Sequence, residues 1–112
     1  MASSTRLHAH WFHILLSLAD RDLHGTAIME DVLDRTEGRI RLWPGRLYSA
    51  LRDMTDQGLI REVEPPDDAP TEGGKRRFYS ITPTGHGMLR EDVDRLAALV
   101  RLARAKAGGA TG

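Results

Sequence analysis

Arg46, Ser49 and Arg52 recur at intervals of three in the stretch Pro44-Gly45-Arg46-Leu47-Tyr48-Ser49-Ala50-Leu51-Arg52, and a helix would turn them to one side, away from Leu47 and Leu51. Guanidinium forks and a hydroxyl in that arrangement match the donors and acceptors that base edges expose in the major groove of duplex DNA. Gly45 leaves the helix start uncrowded, so backbone amides there can approach a phosphate, and the Tyr48 hydroxyl can donate to another. Arg41 flanks this helix, and Lys75, Arg76 and Arg77 form a run of three cations farther on. Such groups grip a phosphate backbone without reading its sequence. Each feature also has a plainer reading, as an amphipathic surface helix with scattered charges and as a solvated basic turn.

The other chemistry-bearing residues offer less. His8, His10 and His13 are separated by two and three positions, which does not bring all three to one helix face, so no metal site is expected. His24 and His86 have no carboxylate or serine partner visible beside them, and no catalytic role is expected of either. Cysteine is absent, which removes disulfides and thiolate sites and suits a reducing cytosol. No cofactor is expected.

These groups need elements to position them. Leu7, Trp11, Ile14, Leu15 and Leu18 recur at helical spacing, predicting an amphipathic helix from about Leu7 to Ala19. A shorter helix follows from Thr26 to about Arg35, with Gly38 as the left-handed residue after its end. Arg39 to Leu42 alternates as a very short strand or extended linker would, and Pro44 suits the first position of a third helix that Gly58 stops. Leu59 to Val63 and Arg77 to Ile81 read as two strands joined by a connector carrying Pro65, Pro66, Pro70, Gly73 and Gly74, a hairpin with a long tip. Thr82 and Pro83 open a last helix to about Lys106. Within it Leu89, Val93, Leu96, Val100 and Ala103 are spaced four, three, four and three, a heptad seam. That seam is either the domain's own core stripe or a dimer contact. A helix of roughly 23 residues is about 35 Å long, more than a small three-helix core can cover, which favours a partner.

The expected fold is therefore mostly α, of the α+β kind: a winged helix-turn-helix with a two-stranded wing and a long C-terminal dimerisation helix. Residues 1–82 would form the winged helix domain, 83–107 the dimerisation helix packed on it, and 108–112 a disordered tail.

Composition bounds the function. At 112 residues the chain suits one compact domain, too small to spare apolar surface for a deep substrate cavity, so an enzyme is not expected. Sixteen basic and sixteen acidic side chains balance, which excludes attachment to DNA by bulk charge. The distribution is uneven: residues 1–38 hold three arginines against six carboxylates, and residues 39–61 hold five against two. The N-terminal apolar stretch is interrupted by histidines and lacks a cleavage signature, and no run approaches the ~20 residues of a membrane span. A soluble, cytoplasmic protein without membrane contact is expected.

The segments LHGTAIMEDV, RLWPGRLYSALRDMTDQGLI and GGKRRFYSITPTGHGML resemble the PadR family of winged helix transcriptional regulators, and the likeness covers roughly Leu7 to Ala105. One helix after the wing is similar to the compact branch of that family. The resemblance implies a repressor that dimerises through its last helix against the partner's first and presents two recognition helices to an inverted repeat. It also implies DNA contacts at Tyr48, Ser49 and their neighbours and at the wing bases. Arg46 stands where family members commonly carry a small hydroxyl residue. Some compact relatives bind flat hydrophobic molecules between subunits through aromatic side chains. Here Trp11, on the first helix, is the candidate for dimer packing or for a small hydrophobic effector, and Trp43 reads as a hinge or core contact. The alternative from another class is a winged helix that docks onto a protein through its acidic N-terminal half without binding DNA.

Overall fold

The computed structural model describes residues 8–69 and 76–111. Helix α1 (Ala9–Leu18), strand β1 (Leu23–His24), helix α2 (Gly25–Arg35), helix α3 (Pro44–Asp56), strands β2 (Ile60–Val63) and β3 (Phe78–Ile81), and helix α4 (Pro83–Thr111) follow in order. This is the winged helix architecture, with one strand more than the hairpin predicts. β3 pairs antiparallel with β2, setting Ile60 opposite Ile81 and Val63 opposite Phe78. On its other edge β3 takes β1, with Leu23 opposite Tyr79 and His24 opposite Phe78. A two-residue strand carries no periodicity of its own; it exists because the edge of β3 is there to pair with.

The apolar stripes of the helices converge on one core. Ile14, Leu15 and Leu18 from α1 meet Ile28 and Val32 from α2 and Leu47, Leu51 and Met54 from α3, closed by Leu59, Ile60 and Tyr79 from the sheet. Arg35 ties α2 to α1, donating to the His13 carbonyl at 2.9 Å, to Ser17 Oγ at 3.2 Å and to Asp31 at 2.7 Å. The Asp31 carboxyl is held below its usual range, first by a hydrogen bond from Ser17 and also by Arg35. Residues 39–42 form the extended linker alternative rather than a strand. Gly58, at φ 77°, adopts the left-handed turn that ends α3.

Thr82 caps α4: its hydroxyl accepts from the Gly85 amide at 3.0 Å and donates to the Gly58 carbonyl at 2.6 Å. Gly85 itself lies against the Leu59 carbonyl, where a Cβ has no room. α4 spans 29 residues, about 44 Å at the usual rise. It continues as helix through 108–111, where the sequence suggested a disordered tail from 108. Glycine weakens a helix by about 1 kcal/mol but, unlike proline, removes no hydrogen bond, so Gly108 does not stop it. α4 packs on α1, and Leu89 and Asp92 are the last of its described residues to be buried. Among the described residues no helix is long and apolar enough to cross a membrane.

Candidate nucleic-acid interface

α3 divides cleanly. Leu47, Ala50, Leu51 and Met54 are buried, while Pro44, Gly45, Arg46, Tyr48, Ser49 and Arg52 all lie exposed on the other faces. The helix is thus held by its apolar stripe and offers its polar side to solvent. Arg41 is exposed on the approach to α3, its guanidinium 5.3 Å from the centre of the Trp43 ring. Trp43 is 64% exposed, which removes the core-contact reading. It caps α3 with an extended backbone (φ −73°, ψ 151°), so it precedes the helical phase that carries Leu47 inward.

Arg76 and Arg77 are exposed just before β3; Lys75 lies outside the described residues. Arg77 Nε stands 3.9 Å from Glu62 Oε2 with both side chains open to water, a pair that contributes little and is readily exchanged for another anion. Arg76 reaches across to His24, Nη1 lying 3.3 Å from the imidazole Nε2. Here the wing, the start of α2 and α3 come together around a cleft of about 410 Å³ lined by His24, Gly25, Thr26, Tyr48, Arg76 and Arg77. The Tyr48 hydroxyl sits directly over Gly25: a Cβ there would fall 2.5 Å from it. Burial, then the Arg76 charge, lowers the His24 pKa from its ordinary value, with Glu30 opposing. His24, Gly25 and Thr26 were not among the residues singled out for DNA contact in the sequence. Their signal would have been the pairing of β1 with β3, which sets His24 two residues from Arg76.

A second cleft, of about 620 Å³, lies between α1 and α3 and is lined by His8, His10, Trp11, Gly45, Arg46, Ser49, Ala50 and Asp53. It places Trp11, half-buried and edge-on to His8 at 5.2 Å, beside Arg46, Ser49 and Asp53 of the polar face of α3. Among the described residues no group of three potential ligands could hold a metal ion.

The heptad seam splits. Leu89 is only 7% exposed and belongs to the domain's own core, so it is not available to a partner as the spacing implied. Leu102, about half exposed, is turned to the far side of the helix and Leu99 sits at the edge, whereas Val93, Leu96 and Val100, 37–47% exposed, share one face. Ala103 is exposed on the same face. Among the described residues, five of the seven exposed large hydrophobic side chains sit on α4, a concentration of apolar surface of the kind that marks an association site.

The family model of the transcriptional regulator PadR-like family matches residues 14–91. The chain belongs to the PadR-like family. That matched span runs from α1 through the sheet into the part of α4 that packs on the body. PadR-like proteins are transcriptional regulators, not a family of enzymes. A PadR family transcription regulator from a hypervirulent Clostridium difficile superposes with a TM-score of 0.67 at 22% identity, covering 88% of this chain and 97% of that one. A PadR-like transcriptional regulator from Bacillus cereus gives 0.70 at 20% identity, over 85% and 87%. Both likenesses are of fold. In sequence, 86 residues, or 77% of the chain, are 35% identical to an uncharacterized 37.1 kDa protein in a transposon of Streptomyces fradiae. The PadR-like chain spans about a fifth of that relative's length, 22%.

Proposed function

We propose that this PadR-like regulator binds double-stranded DNA as a homodimer and acts as a repressor on an inverted-repeat operator. α3 enters the major groove, Arg46, Ser49 and Arg52 read base edges, and Arg41, Tyr48, Arg76 and Arg77 hold the flanking phosphates. The observation that carries this reading is the separation of α3 into a buried apolar stripe and a wholly exposed polar face next to the exposed wing arginines. The apolar face of α4 beyond Asp92 supports the homodimer, whose two-fold axis would match the symmetry of the operator. A small hydrophobic effector that relieves repression has a natural seat in the α1–α3 cleft, because an occupant packed on Trp11 would touch Arg46 and Ser49.

Selection from a random duplex library followed by titration at several salt concentrations tests the proposal. An inverted repeat whose affinity falls steeply with salt is expected, since each neutralised phosphate releases counterions. A weak response indifferent to salt would instead identify a protein-interaction module.

A further inference from the structure

The imidazole of His24 is approached by a donor at each nitrogen. Its Nδ1 lies 3.3 Å from the Ala27 amide and caps α2; its Nε2 lies 3.3 Å from Nη1 of Arg76. A neutral imidazole accepts at only one nitrogen. When Nδ1 takes the Ala27 hydrogen, Nε2 carries a proton and faces the Arg76 guanidinium, donor against donor. In the other tautomer the cap is lost and the conflict moves to the helix. The chain alone leaves one of the two contacts unsatisfied in either state, and only the Arg76 side opens onto the cleft. An oxyanion entering there resolves the conflict. Two N–H groups 3.3 Å apart can share one oxygen at charge-assisted distances of roughly 2.7–2.9 Å, while the hydroxyls of Tyr48 and Thr26, which line the same cleft, serve the remaining oxygens.

We infer that the cleft between the start of α2, Tyr48 and the wing is a phosphodiester site for the DNA backbone, in which the His24 Nε2–H and the Arg76 guanidinium clasp the same phosphate. The inference rests on the DNA-binding reading and adds to it a histidine outside both the recognition helix and the wing. His24 faces Arg76 and Arg77 from the wing, Tyr48 from α3, Glu30 from α2 and the edge of the Phe78 ring at 5.2 Å. Without DNA, burial and the Arg76 charge favour neutral imidazole. A bound phosphate offsets that charge and draws a second proton onto the ring, at Nδ1 and at the expense of the 3.3 Å contact with the Ala27 amide, so binding takes up a proton and strengthens as pH falls.

His24→Asn separates capping from anion binding, because an asparagine oxygen still accepts the Ala27 amide but no donor remains at the Nε2 position. Binding of the 112-residue chain to a labelled duplex of random sequence, about 30 base pairs long, is measured at pH 8 and pH 6, with thermal melting as control. The wild type gains about threefold to tenfold in affinity on acidification, a tenfold gain corresponding to one unit of bound-state shift. H24N loses most of that gain, binds more weakly at both pH values and melts within about 2 °C of wild type. An NMR titration of the His24 ring shows its pKa rising when the duplex is added, and rising far less with inorganic phosphate at equal ionic strength. Equal pH dependence and affinity in wild type and H24N would overturn the site while leaving the DNA-binding reading intact. A phosphate response equal to that of the duplex would overturn its assignment to the backbone. Failure of the wild type to bind duplex at all would remove both.

Discussion

Replacing Val93 with aspartate probes the apolar face of α4 where it is most easily separated from the fold. Val93, Leu96, Leu99 and Val100 are each 37–50% exposed in the protomer. Full burial of such a side chain is worth ~1.5–3 kcal/mol, so covering the open half contributes ~1 kcal/mol. Eight such side chains in a symmetric pair would then supply ~8 kcal/mol against an association cost of ~4–15 kcal/mol. The proposed dimer would stand close to balance before any further contacts are added, and a single charge can tip it. Val93→Asp forfeits ~1 kcal/mol in each protomer and forces a partly desolvated carboxylate into the contact at ~1–2 kcal/mol more. Counted twice, the loss is ~4–6 kcal/mol, or roughly a thousandfold or more in Kd. The protomer is spared, because Val93 is 42% exposed and its replacement stays in water there. Sedimentation equilibrium over a wide concentration range reads the outcome: wild-type dimer, variant monomer, with circular dichroism unchanged. Leu89→Asp is the contrast, since Leu89 lies in the core, and it lowers the melting temperature of the protomer itself. A Val93→Asp protein that dimerises within threefold of wild type would refute the placement of the interface.

Arg46→Ala weakens binding to a selected operator by about 1–3 kcal/mol and binding to random duplex by much less; equal losses on the two would remove it from the base-reading set. Gly85→Ala drives a methyl group into the Leu59 carbonyl and the Ile81 side chain, which costs ~2–4 kcal/mol and is read as a depressed melting temperature with no change in oligomeric state. Burial, then Arg35 and His10, holds the His13 imidazole below its ordinary value of 6.5. The unfolded chain therefore binds the proton first as pH falls, and stability declines with acidification below that value and is insensitive above it. Thermal melts from pH 7.5 to pH 5 show the decline, and His13→Gln makes it shallower; an unchanged slope would remove His13 as a source.

What spacing reveals and what it hides follows from how each element is stabilised. α1, α2 and α3 were legible because each carries its own amphipathic stripe, and a 3.6-residue period is a property of the chain segment. The polar face of α3 came with its stripe: once Leu47 and Leu51 face inward, Arg46, Ser49 and Arg52 cannot. Thr82-Pro83 marked the start of α4 through capping chemistry that is equally local.

Other features depend on what lies opposite. β1 forms only because β3 offers an edge, and through that pairing His24 meets Arg76, 52 residues away along the chain. Periodicity set Leu89 and Val93 on one stripe, yet it holds no information on where the body of the domain ends. The structure ends it at Asp92, leaving Leu89 in the core and Val93 open. Trp43 is not a core contact because an extended residue before the first helical turn takes its direction from its own backbone. From its sequence alone this protein was determined to be a winged helix with a polar third helix and a long last one, since those follow from local periodicity and capping. Which residues line the cleft beneath the wing, and which part of the seam is left for a partner, only the tertiary structure decided, because both depend on surfaces brought together from distant parts of the chain.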